Sequence, residues 1–138
     1  MEKLLTPIAR IFVAHIFLLS GLGKMGNYAG TQAYMEAMGA PGMLLPLVIL
    51  LEVVGGLALI IGWQTRWAAF ALAGFSIVAA VMFHADFADQ MQMIMFTKNI
   101  AIAGGLLLLA AHGAGHFSLD SYFARSKNQL GGHISPTA

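Results

Sequence analysis

The chain has 138 residues, of which 59% are hydrophobic and only 9% are charged, and its mean hydropathy is +0.78. Soluble domains carry about 25% charged residues, so this composition excludes a water-soluble domain and predicts an integral membrane protein. The net charge of +1 gives no indication of nucleic-acid binding, and the absence of cysteine excludes disulfides, thiolate nucleophiles, cysteine-ligated iron–sulfur clusters and c-type haem within this chain.

Four apolar stretches are each close to the roughly 20 residues that cross a bilayer. They lie at 7–23, 43–62, 67–85 and 96–113. Pro7 is a good first-turn residue for the first of them. We expect a retained first helix rather than a signal peptide, because Arg10 interrupts the apolar run and no small-residue cleavage pattern follows.

The connections between the spans predict the topology. The link at 63–66 (WQTR) is so short that the second and third spans are expected to form a tight antiparallel hairpin. A short helix is expected within 24–41, capped by Thr31 and ended by Gly39. The prediction is an all-α, antiparallel, up-down four-helix membrane bundle over 1–122, followed by a polar, disordered tail over 123–138.

Basic residues in the loops predict the orientation. With four spans, both termini and the 63–66 turn share one side. Five basic residues lie on that side: Lys3, Arg10, Arg66, Arg125 and Lys127. The other side has only Lys24 and Lys98. Cytoplasmic loops carry the excess of Lys and Arg, so both termini are expected in the cytoplasm of a bacterial inner-membrane protein.

Polar residues recur 14 positions apart on three of the spans, and four helical turns take about 14.4 residues. The pairs are Arg10 and Lys24, Glu52 and Arg66, and Lys98 and His112. Small residues lie between the members of each pair, and small residues let membrane helices approach closely. Each stripe is therefore expected to face the interior of the bundle.

Glu52 lies in the middle of an apolar span, where a carboxylate must be neutralised, paired or hydrated. Lys24, His84 and Lys98 are expected near the same outer end of the bundle. We favour Lys24 and Lys98 as partners of Glu52 and keep His15 as the alternative. Such a cluster is either a functional site or a set of charges that only fixes the packing of the helices.

Methionine forms a second pattern, in the run MQMIM. Met91, Met93 and Met95 lie near His84 in the sequence, and thioethers suit Cu(I). The alternative is that these side chains simply pack adaptably at an interface.

These motifs resemble the DoxX family of small bacterial membrane proteins over roughly residues 7–120. The similarity is carried by R-x13-K ending in SGLGKM, by EVVGGLALIIGWQTR, and by KNIAIAGGLLLL followed by GHFSLD. The resemblance implies a role beside a membrane quinone oxidoreductase, since the family is named after subunits associated with a thiosulfate:quinone oxidoreductase and terminal oxidase. Other members resemble partners in thiol-related or oxidative-stress complexes. The family supplies no catalytic assignment for the matching positions.

Three hypotheses follow from the sequence. The preferred one is a non-catalytic or quinone-interacting subunit of a membrane redox complex, with Glu52 as proton carrier and Lys24 or Lys98 as donor. The second is a small anion or proton carrier, which needs a homo-oligomer because four spans enclose little volume. The third is a scaffold or assembly subunit whose charges are purely structural.

Overall fold

The computed structural model describes residues 1–132, which form six α-helices and no strand. The helices are α1 (Glu2–Gly26), α2 (Tyr28–Ala37), α3 (Leu45–Ile61), α4 (Thr65–Phe83), α5 (Gln90–His112) and α6 (Leu119–Gly131). A short 3-10 turn, Gly42–Leu44, leads directly into α3. Four helices (α1, α3 with its 3-10 turn, α4 and α5) are long and apolar enough to cross a membrane. The prediction of an all-α protein with four membrane spans is therefore confirmed.

The helix ends differ from the predicted spans because local capping, rather than hydropathy, fixes them. Asp89 accepts a hydrogen bond from the Met91 backbone N–H at 2.9 Å, so α5 begins well before the apolar stretch. Gly62 ends α3 in the left-handed conformation, with φ of 73°. The helix expected within 24–41 is α2, and it begins before Thr31, which lies inside it.

Glycines on the inner faces set how closely the spans approach. A Cβ on Gly21 of α1 would lie 2.7 Å from the Val53 side chain of α3. A Cβ on Gly56 would lie 3.0 Å from Leu18 of α1, while one on Gly55 would lie 3.1 Å from Leu72 of α4. The two consecutive glycines of α3 thus allow it to pack tightly against α1 on one side and α4 on the other.

The spans are packed unevenly around the bundle. α1 packs mainly against α3, α3 against α4, and α4 against α5, whereas α1 and α5 touch at few points. The core between the helices is made of small and branched side chains with one aromatic: Ala14, Phe17, Leu59, Ala69, Leu72, Ala73, Ala103, Leu106 and Leu109. The contact between α1 and α5, called here the α1–α5 seam, is therefore the loosest boundary of the bundle.

The segment after α5 folds back onto the bundle instead of forming a disordered tail from residue 123. Ser118 caps α6 by accepting a hydrogen bond from the Ser121 N–H at 3.1 Å. Asp120 holds the α3–α4 turn, since its carboxylate accepts from the backbone N–H groups of Gln64 (2.8 Å) and Thr65 (3.0 Å). The polar composition of this segment had suggested disorder, but the segment forms a capped helix. Residues 133–138 of the predicted tail lie outside the described part of the chain.

Candidate functional site

Glu52 is buried in α3 and forms an ion pair with Lys24 at the end of α1. Its residue exposure is 2%, and the Lys24 ammonium lies 3.0 Å and 2.9 Å from its two carboxylate oxygens. The same ammonium donates to the Ser20 hydroxyl at 2.6 Å. Both carboxylate oxygens thus face one cation, which lowers the free energy of keeping a charged carboxylate within the span.

The ion pair lies on the wall of a cavity of about 280 Å³ between α1, α3, α4 and α5. This space, called here the Glu52 cavity, is lined by five titratable side chains from five different segments: Lys24, Tyr34, Glu52, His84 and Lys98. Most of the remaining wall is apolar and includes Phe17, Phe75, Phe83 and Ile102. The structure therefore brings together the residues that the sequence placed near one end of the bundle.

Lys98 contributes the cavity's excess charge. Lys24 and Glu52 neutralise each other, but within residues 1–132 no carboxylate lies within ion-pair distance of Lys98. His84 at the end of α4 is held by Gln92, with 2.7 Å between its Nδ1 and the Gln92 Oε1. The arrangement thus offers an ammonium, an oriented imidazole and a paired carboxylate around a mainly apolar space.

Helix α2 covers one end of this cavity, and this cover was not expected from the sequence. Tyr34 stacks on Phe83 with 5.7 Å between the ring centroids, and Thr31 and Met35 also line the space. Asn99 of α5 lies in the lining next to Lys98. The spacing rules that identified Lys24 and Glu52 apply within one helix. They therefore could not predict that another helix packs across the end of the bundle.

The α1–α5 seam runs along one side of the cavity. Ile16 and Ser20 of α1 and Asn99 and Ile102 of α5 line the cavity from its two edges. These two helices touch at few points, so the seam is the loosest part of the cavity wall.

Arg10 occupies a separate polar centre and does not line the Glu52 cavity. It is 1% exposed, and its guanidinium donates to the carbonyl of Leu59 at 3.3 Å and to that of Phe117 at 2.5 Å. Gly62 must lack a side chain here, since a Cβ would lie 2.0 Å from Arg10 Nη1. Arg10 therefore links α1 to the end of α3 and to the segment before α6, which is a packing role.

Arg66 and His15 also lie away from the Glu52 cavity. Arg66 donates to the carbonyls of Ala110 (3.3 Å) and Ala111 (2.5 Å), at the end of α5, where orphan carbonyls and the helix dipole favour a cation. His15 is exposed on the outer face of α1, and its Nδ1 contacts the carbonyl of Phe12. The alternative pairing of His15 with Glu52 is therefore not formed.

Comparison with known proteins places these helices in a family. The DoxX family model matches residues 5–85. Inner membrane protein YqjF of Escherichia coli K12 is 52% identical over 120 residues, covering 87% of this chain and 92% of the relative. The chain belongs to the DoxX family. Inner membrane protein YphA of the same organism is 38% identical over 126 residues, covering 86% and 90% of the two chains. No solved structure matches.

The family match bears on the site in two ways. Both relatives are named inner membrane proteins, and the four apolar helices agree with that, so this DoxX protein is an integral inner-membrane protein. The matched region ends at residue 85 and therefore includes Lys24, Glu52 and His84 but not Lys98. The part of the cavity that carries the excess positive charge thus lies on a helix outside the family model.

The methionine pattern is divided between two environments in this DoxX protein. Met91 and Met93 are exposed, whereas Met95 lines the Glu52 cavity with His84. Residues two apart on a helix point roughly 200° away from each other, so Met93 faces away from the other two. The described residues also contain no group of three His, Asp or Glu side chains that could hold a metal. The three thioethers therefore do not lie on one face of α5.

Proposed function

We propose that this DoxX protein is a subunit of a membrane quinone-linked redox system and that the Glu52 cavity binds the quinone head group. The observation that carries the proposal is the composition of the cavity, which has mainly apolar walls and the polar side chains Lys24, Glu52, His84 and Lys98. A quinone presents the complementary chemistry, an apolar ring with two carbonyl acceptors. It also dissolves in the bilayer, to which the α1–α5 seam gives access.

Lys98 and the Glu52–Lys24 pair have different tasks in this proposal. Lys98, whose ammonium has no carboxylate partner among the described residues, donates a hydrogen bond to a quinone carbonyl and stabilises negative charge on that oxygen. Reduction to the quinol takes up two electrons and two protons. Glu52 and Lys24 exchange protons between them as part of the path that supplies those protons. The electrons come from a partner redox protein, since a chain without cysteine supplies neither a thiol pair nor a cysteine-ligated cluster.

The proposed topology is up-down and antiparallel over residues 1–122, with both termini in the cytoplasm. Contacts near the start of α1 support it, because Thr6 lies beside Gly115 and Arg10 donates to Phe117. The first turns of α1 are thus close to the segment after α5, while Lys24 at the other end of α1 meets Glu52. The bias of basic residues toward the termini supports the cytoplasmic assignment. In this topology the Glu52 cavity lies in the periplasmic half of the bundle.

A scaffold role is the second candidate, and the closed Lys24–Glu52 pair favours it. The pair is satisfied internally, joins α1 to α3, and needs no substrate to neutralise it. If the protein is a scaffold subunit, its complex should remain assembled after the Lys98 ammonium has been removed from the cavity. Substitution of Lys98 therefore separates the two candidates, since Lys98 takes no part in this pair.

The test is binding of decylubiquinone to the purified protein in lipid nanodiscs, with an azido-quinone crosslinked and mapped by mass spectrometry. Saturable binding is expected, with crosslinks at the α1–α5 seam, and Lys98→Met is expected to weaken binding by about tenfold, the loss of one charge-assisted hydrogen bond. Lys3→Met is the matched control, an exposed lysine outside the cavity, and it should leave binding unchanged.

Two results would contradict the proposal. One is the absence of saturable binding together with unchanged respiration in membranes carrying Glu52→Gln. The other is an equal effect of Lys98→Met and Lys3→Met, which would show that any binding is unrelated to the cavity. If proteoliposomes of the purified protein transported a small anion, the protein would be a carrier rather than a redox subunit.

A further inference from the structure

Helix α6 has an apolar face that no part of the described chain covers. Leu119, Tyr122, Phe123 and Leu130 are 37%, 60%, 49% and 70% exposed. At 3.6 residues per turn these four side chains fall within a sector of roughly 100°, which also contains the half-buried Ser126. No residue of α6 is buried. The helix is therefore amphipathic, and within residues 1–132 its apolar face remains largely exposed.

Two cations border this apolar face. By the same helical geometry, Arg125 lies roughly 60° beyond Tyr122 on one edge, and Lys127 lies roughly 40° beyond Phe123 on the other. Both are exposed, whereas the opposite side of the helix carries polar residues such as Asn128. An apolar sector bordered by basic side chains is typical of helices that lie in the plane of a membrane surface, since the long basic side chains reach up to the headgroups.

The position of α6 along the bundle matches the membrane surface. Asp120 bonds the backbone N–H groups of the α3–α4 turn, and its own N–H donates to the Gly62 carbonyl at 2.9 Å. Because this turn joins two membrane spans, α6 begins at the level where the spans end. Trp63 of the turn lines a crevice together with Phe123, and Trp63 and Trp67 are 45% and 74% exposed, as in an interfacial aromatic belt.

We propose that α6 is a surface anchor that lies in the membrane interface, with its apolar face in the acyl boundary and Arg125 and Lys127 on anionic phospholipid headgroups. The ligand is thus the anionic leaflet surface itself. This assignment uses neither the Glu52 cavity nor any residue invoked for quinone binding. The anchor would hold the α3–α4 turn, through Asp120, at a fixed depth in the leaflet.

Spin-label accessibility in the full-length protein tests the anchor, and the absence of native cysteine means that single-cysteine variants need no altered background. Labels at Phe123→Cys and Leu130→Cys are placed on the apolar face, and a label at Asn128→Cys is the matched control on the polar side. The protein is reconstituted in vesicles of phosphatidylcholine and phosphatidylglycerol at 3:1. The apolar-face labels are expected to meet dissolved oxygen more than a water-soluble nickel chelate, and the control label the reverse.

Two outcomes of this measurement overturn the proposal. Equal access of the nickel chelate to all three labels would mean that α6 lies free in water. Spin–spin broadening at the Phe123 and Leu130 positions that disappears on dilution with unlabelled protein would mean that a second copy covers the face. Failure of quinone binding would leave the expected accessibility pattern unchanged.

A second measurement tests the contribution of Arg125 and Lys127 to binding the anionic surface. With the label at Phe123→Cys, the ratio of docked to undocked helix is expected to fall about fivefold for each cation removed by Arg125→Gln and Lys127→Gln, since each basic residue near an anionic surface contributes about that factor. In vesicles of phosphatidylcholine alone the same substitutions should have no effect. An equal docked fraction in the two lipid compositions would overturn the assignment to an anionic surface.

Discussion

Removing the cation of the buried ion pair should destabilise the protein more than removing both charges. The perturbation is Lys24→Met, which leaves the Glu52 carboxylate without the ammonium now 2.9 Å away. Breaking a buried pair from one side costs about 3–5 kcal/mol, because an uncompensated charge remains. The Lys24 side chain is 23% exposed against 3% for Glu52, so the expected loss is at the lower end, about 3 kcal/mol.

The reverse substitution is expected to be milder. Glu52→Gln keeps the shape of the side chain, and Lys24 retains its bond to the Ser20 hydroxyl and its partial exposure. Its expected cost is about 1 kcal/mol, and the double variant should lose about 2 kcal/mol, well short of the sum of the two single effects. The coupling free energy between the two sites is then about 2 kcal/mol.

The assay is reversible unfolding in mixed micelles by titration with SDS, followed by circular dichroism, for the wild type, both single variants and the double variant. Lys98→Met is the matched control, since it makes the same chemical change on the same cavity but outside the ion pair. It should change the free energy of unfolding by less than about 1 kcal/mol. Additive effects at positions 24 and 52 would refute the reasoning, as would a control as costly as Lys24→Met.

Three further predictions concern packing and capping. Gly21→Val should lower the free energy of unfolding by about 1–3 kcal/mol in the same titration, because even a Cβ comes within 2.7 Å of α3, whereas Gly23→Val meets no neighbour and isolates the change in helix propensity. Gly62→Ala should cost about 2 kcal/mol or more by the same measurement, since it collides with Arg10 and strains a φ of 73°. Asp120→Ala should cost about 1–2 kcal/mol and speed hydrogen exchange of the first turn of α4, whereas unchanged exchange would contradict the proposed cap.

Much of the fold could be predicted from the sequence because one physical constraint dominates it. A backbone in lipid must satisfy its own hydrogen bonds, so long apolar stretches can only be helices. The 14-residue spacing placed Lys24 and Glu52 on inward faces, and their contact follows from the cost of an isolated charge in hydrocarbon. Mid-span position alone suggested that His15 shared their interior, but the side of the helix on which a residue lies depends on packing partners that hydropathy does not reveal.

Other features depended on contacts that are distant in the sequence. The sequence predicted that Arg10 and Arg66 lie on stripes facing the bundle interior, but it gave no partners for them, and both cations bind backbone carbonyls near helix ends. Every residue has a backbone carbonyl, so the residue types do not reveal which carbonyls an arginine will bind. The position of the C-terminal helix on the bundle could not be predicted for a related reason, since it depends on Asp120 binding N–H groups 55 and 56 residues earlier.

The bonds of Arg10 have a consequence for how the protein is made. One of its carbonyl acceptors is 49 residues downstream and the other is 107 residues downstream. At the usual rate of about 5–20 residues per second, the ribosome needs roughly 5–20 seconds to add the second acceptor after Arg10 itself. During that interval the guanidinium of the first helix lacks at least one of its two final acceptors. We therefore expect the first helix synthesised to be among the last to reach its final contacts.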